Sequence, residues 1–274
     1  MTAPPNMQAI VRTSFERFEL KYWLPESVAQ GVLAFASRYL VPDIFGNQTS
    51  AIQRNTSLYC DTPGFRFFEN HMSDQLDRFK LRIRRYGEPA SGPAFFEVKR
   101  KVKNIIVKKR VMVPASEMTG LLDGTYRELP ALSAADRPNL ESFLYLLMIH
   151  RARPAVLITC NREALKSPEP LEDVRLTIDR EIAYQPWTSS EWGFDPCGWI
   201  PIDGPLQHGE EGRRVLLELK FCDAAPAWMD ELVGRLQGGR EAYSKYCSAV
   251  FHETEERYYG AEWALQRSRA FPAA

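Results

Sequence analysis

Between Arg78 and Arg110 the chain holds 12 Lys or Arg residues and only two acidic ones, Glu88 and Glu97, although the whole sequence balances 35 basic against 35 acidic residues. Positive charge is therefore placed locally. The spacing is that of β-strands, in which side chains alternate between two faces. Lys80, Arg82 and Arg84 fall on one face, opposite Phe79, Leu81 and Ile83. Glu97, Lys99 and Lys101 share a face in the next run, and Lys108 shares one with Arg110 in the third. Three neighbouring strands with like-charged faces repel one another unless an anion lies among them. The chemistry implied is capture of a polyanion.

The same alternation recurs outside this stretch. Arg17, Glu19 and Lys21 share a strand face near the N-terminus, as do Arg175, Thr177 and Asp179, and as do Glu218 and Lys220. Taken alone, Glu218 reads as a charged strand residue paired with Lys220 more readily than as a metal ligand. Tyr59, Asp61 and Asp179 read as structural polar groups.

Other chemistries find little support. The four histidines (His71, His150, His208 and His252) have no ligand spacing, and the five cysteines (Cys60, Cys160, Cys197, Cys222 and Cys247) include no C-x-x-C pair. That pattern argues against a zinc site or a disulfide framework and for a reducing compartment. Single-strand nucleic-acid binders interleave aromatic and basic side chains on one face. Here the aromatics fall mainly on the opposite face, so no nucleic-acid partner is expected, and Phe67, Phe68, Trp187, Trp192 and Trp199 read as packing groups. No apolar run approaches the length of a membrane span and the N-terminus has no apolar signal segment, so a cytoplasmic location is expected.

The elements that must position these charges follow from hydrophobic periodicity. Eight strands are predicted, near Phe15–Trp23, Asn55–Pro63, Arg78–Tyr86, Phe95–Lys101, Val107–Val113, Ala155–Arg162, Val174–Arg180 and Val215–Phe221. A helix opens at Pro25 with Val28, Val32, Phe35, Ala36 and Tyr39 as its apolar stripe. Residues 43–54 read as a polar loop and Phe65–Met72 as a short helix or turn. Residues 115–150 read as helical, with Asn139 capping a last helix from Leu140 to His150. Helix returns from Pro226 to about Ala270. A lead-in over residues 1–14 followed by one domain over 15–270 is the simplest division. Such strands form either an open sheet or a barrel that turns its charged faces inward.

The ordered set Arg17-Phe18-Glu19-Leu20-Lys21-Tyr22, Ser57-Leu58-Tyr59-Cys60-Asp61-Thr62, Lys80-Leu81-Arg82-Ile83-Arg84-Arg85-Tyr86, Phe96-Glu97-Val98-Lys99-Arg100-Lys101, Glu218-Leu219-Lys220 and Ser244-Lys245-Tyr246 resembles the VTC branch of the triphosphate tunnel metalloenzymes. That branch is the polyphosphate polymerase domain of vacuolar transporter chaperone, within the CYTH-like superfamily. The resemblance runs from about Phe15 to Phe251. It implies an α+β fold, an eight-stranded antiparallel β tunnel with helices packed outside. It implies that Lys21, Arg82, Arg84, Lys99 and Lys245 act in catalysis. Substrate binding would fall to Lys80, Lys108, Arg110, Arg162, Arg175, Lys220 and Ser244. Glu218 would hold Mn²⁺ or Mg²⁺, with Glu19 and Glu97 either assisting or positioning the lysines. The implied reaction moves the γ-phosphate of ATP onto polyphosphate, with hydrolysis of triphosphate or simple binding of polyphosphate or nucleotide as alternatives. ATP and polyphosphate or triphosphate are the implied partners, and a membrane-protein partner stays open.

Overall fold

The computed structural model describes residues 17–44, 52–87, 93–103, 105–169, 173–187, 198–203, 213–236 and 240–254. The expected lead-in, the helical continuation past residue 254, Trp192 and His208 lie outside the described residues.

Eight strands form one continuous antiparallel path. They are β1 (Arg17–Pro25), β3 (Ile52–Asp61), β4 (Asp77–Tyr86), β5 (Ala94–Val102), β6 (Ile105–Val113), β7 (Arg153–Lys166), β8 (Arg175–Pro186) and β10 (Arg214–Cys222). Their spatial order is β1-β10-β8-β7-β3-β4-β5-β6. Two short strands, β2 (Val41–Pro42) against β7 and β9 (Ile200–Pro201) against β8, bring the sheet to ten. The expectation of an eight-stranded closed tunnel is corrected here: among the described residues no ladder joins β6 to β1. The sheet nevertheless curls. Glu19 on β1, at one end of the strand order, and Lys99 on β5, next to the other end, bring their side chains to 3.7 Å.

Period-two alternation divides the sheet into an outer apolar face and an inner face. The outer face carries two helix-covered cores. Helix α1 (Glu26–Ala36) and helix α5 (Ala227–Arg235) cover Tyr22, Leu24, Leu176, Ile178, Leu217 and Leu219. Helices α2 (Arg66–Met72), α3 (Met118–Asp123) and α4 (Arg137–Ile149) cover Leu58, Leu81, Ile83, Phe96, Val98 and Val111. Each such side chain taken from water contributes about 1.5–3 kcal/mol, which makes this burial the main force holding the helices to the sheet.

Several local expectations change. In α1 it is Ala29 that is buried, with Val32, Phe35 and Ala36, whereas Val28 and Tyr39 are exposed. Residues 115–150 are not continuously helical: α3 ends at Gly124, whose φ of 70° suits a residue without a Cβ. Helix α4 begins at Arg137, with Asp136 rather than Asn139 at its N-cap. The Asn139 side chain instead donates to the Arg110 carbonyl at 3.2 Å and ties the helix to β6. Strand β3 begins at Ile52, inside the stretch expected to be loop.

The inner face is not charged along its whole length. Trp23, Tyr59, Val156, Ile158, Ile182, Tyr184 and Leu216 form a third core there, closed by Tyr246, Cys247, Ala249 and Val250. These last four belong to α6, the helix over residues 245–254. A register shift in β7 between Thr159 and Asn161, with Glu181 at φ 51°, lets β8 turn both Asp179 and Ile182 to this side. The inner face therefore has an apolar end plugged by a helix and a charged end beside it.

Candidate active site

Three carboxylate centres organise the charged end, and antiparallel register decides which cations reach each of them. On β5, Glu97 lies opposite Arg82 of β4 and Arg110 of β6. Its carboxylate, 1% exposed, accepts from Arg82 at 2.5 Å and pairs with Lys108 at 2.9 Å and Arg110 at 3.5 Å. Burial alone raises a carboxyl, but the Arg82, Arg84 and Lys108 charges hold Glu97 far below the usual range. Asp179 of β8 lies opposite Arg162 of β7 and accepts both guanidinium bonds at 2.6 Å. Lys245, on the first residue of α6, reaches the same carboxylate at 2.5 Å. Burial opposes ionisation of Asp179, and the Arg162 and Lys245 charges overcome it.

Glu218 of β10 forms the third centre. Lys220 lies 2.8 Å from it, Lys245 3.4 Å, Arg162 3.9 Å and Lys21 4.0 Å. Glu19, on the neighbouring β1, pairs with Lys21 at 3.0 Å and Lys99 at 3.7 Å. Burial pushes Glu19 up, yet Lys220, Lys21 and Lys99 bring it down to about 2. Lys21 also donates to the Tyr243 carbonyl at 2.7 Å, which fixes the segment leading into α6.

Two inner-face cations on β4 have no carboxylate within ion-pair distance among the described residues. Lys80 donates to Ser244 Oγ at 2.7 Å, lies 3.5 Å from His71 Nε2 and 3.7 Å from Cys247 Sγ, and stands over the Tyr246 ring. Burial lowers its pKa, and the Lys99 and Lys21 charges add to the effect. Arg84 donates to Ser57 Oγ at 3.0 Å and lies near the Tyr86 ring. Arg82 stands midway between them, and the span from Lys80 to Arg84 is four residues, about 13 Å of strand.

Charges expected near the site divide accordingly. Lys21, Lys80, Arg82, Arg84, Lys99, Lys108, Arg110, Arg162, Lys220, Ser244 and Lys245 lie together with Glu19, Glu97 and Glu218. Arg175 is turned to Asp43, 2.9 Å away, in a pair shared with Lys166 at 3.2 Å. Among the described residues no group of three His, Cys, Asp or Glu side chains could hold a metal ion. Glu97 sits in a different wall from Glu19 and Glu218, surrounded by cations.

Sequence reasoning undervalued three residues. Asp179, read as structural, organises Arg162 and Lys245; its shared face with Arg175 and Thr177 was visible, but its partners depend on strand order. Asp61 closes β3 and accepts from the backbone N–H groups of Thr62, Phe67 and Phe68 at 2.6, 2.9 and 3.0 Å, and from the Tyr246 hydroxyl. It thereby seats α2 and α6 against the site. Tyr59 receives a bond from Arg82 at 3.2 Å and stacks on Tyr246 at 4.9 Å.

The VTC domain family model matches residues 16–252 of the chain. No curated protein sequence matches it. Among solved structures, a protein provisionally described as an adenylate cyclase from Bacillus halodurans is similar over 89% of this chain and 99% of that one, at 10% identity and a TM-score of 0.47. A protein from Pyrococcus horikoshii OT3 is similar over 86% and 99%, at 12% identity and a TM-score of 0.42. A second provisional adenylate cyclase, from Vibrio parahaemolyticus, is similar over 85% and 97%, at 13% identity and a TM-score of 0.40.

Proposed function

The chain belongs to the VTC domain family, and on that premise we propose that it transfers the γ-phosphate of ATP to the end of a polyphosphate chain. The observation that carries this reading is the uneven charge of the inner face. Lys80, Arg82, Arg84, Lys99, Lys108 and Arg110 stand on β4–β6 with Glu97 as the one carboxylate among them. A row of cations with hydroxyl partners at both ends of β4 suits a linear chain of phosphates. Ser244 and Ser57 would turn their hydroxyls to phosphate oxygens while Lys80 and Arg84 supply the charge.

The transfer needs positioning and charge neutralisation more than a protein nucleophile. An oxygen of the acceptor's terminal phosphate forms a bond to the γ-phosphorus, the bond from that phosphorus to the β–γ bridging oxygen breaks, and ADP leaves with the electron pair. Arg82, Arg84 and Lys99 hold the reacting phosphates in line. Lys245 and Lys21 stand across the inner face, where they can offset charge gathering on the leaving oxygen. The pairings within the free site keep these cations oriented, and phosphate oxygens replace the neutral partners first.

A divalent cation fits the opposite wall. Glu218 and Glu19 offer hard carboxylate oxygens on adjacent strands, and Mg²⁺ or Mn²⁺ is commonly held by one or two carboxylates with substrate phosphates and water completing the shell. When bound, the ion neutralises phosphate charge; the roles of Lys220 and Lys21 are then to keep the two carboxylates aimed inward.

The test is to incubate the protein with ATP and Mn²⁺ or Mg²⁺ and follow phosphorus by ³¹P NMR. Growth of an internal polyphosphate resonance with ADP supports transfer. Free phosphate without chain growth means that water is the acceptor. No turnover, with a thermal shift on adding tripolyphosphate, reduces the site to a binder.

A further inference from the structure

A second surface stands apart from the inner face, at the end of the sheet where β5 turns into β6. The turn passes through Lys103 at φ 53°, and the Lys103 N–H donates to the Leu76 carbonyl at 2.6 Å, joining the turn to the segment before β4. Helix α4 runs antiparallel to β6: Asn139 bonds the Arg110 carbonyl at 3.2 Å, and Ser142 accepts from Lys109 at 3.2 Å. The C-terminus of α4 is thereby carried toward the same turn. His150, the next residue, packs on Phe79 near the start of β4, with ring centroids 5.3 Å apart.

The apolar side chains gathered at this end are uncovered. Leu76, Ile105, Val107, Met148 and Ile149 are all exposed, Ile105 at 68% and Met148 at 72%. The outer cores do not need them: Val111, Val113, Leu140 and Phe143 already fill the space between β6 and α4. An exposed apolar cluster of this kind marks a contact surface.

Charge identifies the contact. Lys103, Lys109 and Arg151, all exposed, border this end and make no ion pair among the described residues. The two acidic residues nearby are already taken, Asp74 by Arg78 at 2.6 Å and Asp77 by Arg100 at 2.5 Å. The charges at this end left without an ion pair among the described residues are thus cationic. We propose that this end of the molecule docks on an anionic lipid surface, with Ile105 and Met148 entering the headgroup boundary and the Lys/Arg rim meeting lipid phosphates and carboxylates. The apolar groups stand on a strand turn and a helix end, elements that project, which suits shallow insertion. Docking here leaves the phosphate-facing side chains of β4 untouched, so the inference does not depend on the proposed reaction.

The experiment is co-sedimentation of the full chain with phosphatidylcholine vesicles with and without phosphatidylserine, each with tripolyphosphate present to occupy the inner cations. Binding to the anionic vesicles alone, weakened by salt, is expected. Lys103→Gln with Arg151→Gln should weaken it about 30-fold, and Ile105→Asp with Met148→Asp by more than about tenfold. Both pairs alter exposed positions, and an unchanged melting temperature shows that the fold survives. Absence of vesicle binding, binding that tripolyphosphate abolishes, or binding indifferent to both variant pairs overturns the proposal. So does loss, in the Ile105→Asp and Met148→Asp variant, of self-association in the absence of lipid, which makes a second copy of the chain the occupant.

Discussion

The two walls of the inner face differ in how their charge is balanced. On β4–β6, Glu97 pairs with Arg82, Lys108 and Arg110, Lys99 reaches across to Glu19, and Lys80 and Arg84 have no carboxylate within ion-pair distance among the described residues. On β1, β7, β8, β10 and α6, the four cations Lys21, Arg162, Lys220 and Lys245 meet three carboxylates, Glu19, Asp179 and Glu218. The second wall is close to complete as it stands, because each buried charge has a partner that offsets the cost of leaving water. The first wall holds charge in excess, and an anionic ligand is what would offset it. On this reading the β4–β6 wall takes phosphate, and a divalent cation at the opposite wall would have to displace lysines from Glu218 and Glu19.

Removing Glu97, the one inner-face carboxylate of the first wall among the described residues, should have the largest effect. Glu97→Ala leaves Arg82, Lys108 and Arg110 facing one another and should cost about 3–5 kcal/mol of stability. Added tripolyphosphate should recover part of this. Thermal unfolding with and without tripolyphosphate measures both quantities. A variant as stable as the parent would mean that these cations find water or other partners, and the contrast between the walls would fail.

Lys80→Ala and Arg84→Ala address the unbalanced positions directly. Each should weaken tripolyphosphate binding by about 1.5–3 kcal/mol, about 10- to 150-fold, the usual worth of a hydrogen bond to a charged group. Neither should lower the melting temperature, since no carboxylate is left unpaired. Arg162→Ala, which leaves Asp179 with Lys245 as its remaining cation, should do the reverse: a large loss of stability and a smaller loss of binding. Equal effects in calorimetric titrations and melting curves would erase the distinction.

Glu218→Gln tests the second wall. Nucleotide binding should persist in part while metal-dependent turnover is lost; unchanged metal-dependent turnover removes Glu218 from the cation's shell.

The smallest effects are those of pH. Burial, with Lys80 and Arg78 nearby, lowers His71 from 6.5 to about 4, so its imidazole resonances should titrate near pH 4 and move upward once phosphate covers Lys80. Titration at the ordinary value would separate His71 from that charge. Glu19 is depressed from 4.5 to about 2, so the unfolded chain takes up its proton first. The stability this group contributes is present at neutral pH and is lost as pH falls from 4.5 through about 2. Acid titration of the melting temperature should show a decline in this window that Glu19→Gln diminishes.

Much of this was legible in the chain because local alternation dictates it. Lys80, Arg82 and Arg84 oppose Leu81 and Ile83 on any strand, and Leu81 and Ile83 are fully buried. The boundaries of α4 were less legible. Asn139 and Asp136 are both competent N-cap residues; the helix starts after Asp136, whose side chain makes no capping bond and accepts from Ser133, while Asn139 lies inside the helix and donates to the Arg110 carbonyl.

By itself the sequence determined the placement of its charges: which residues share a strand face, and that the positive ones crowd into one stretch. Only the tertiary structure decided their partners. Arg162 meets Asp179 and Arg82 meets Glu97 through strand register, while Lys245 reaches Asp179 and Glu218 because α6 closes over the apolar end of the inner face. Alternation is a property of one strand, whereas the balance of a buried charge depends on every strand that curls around it.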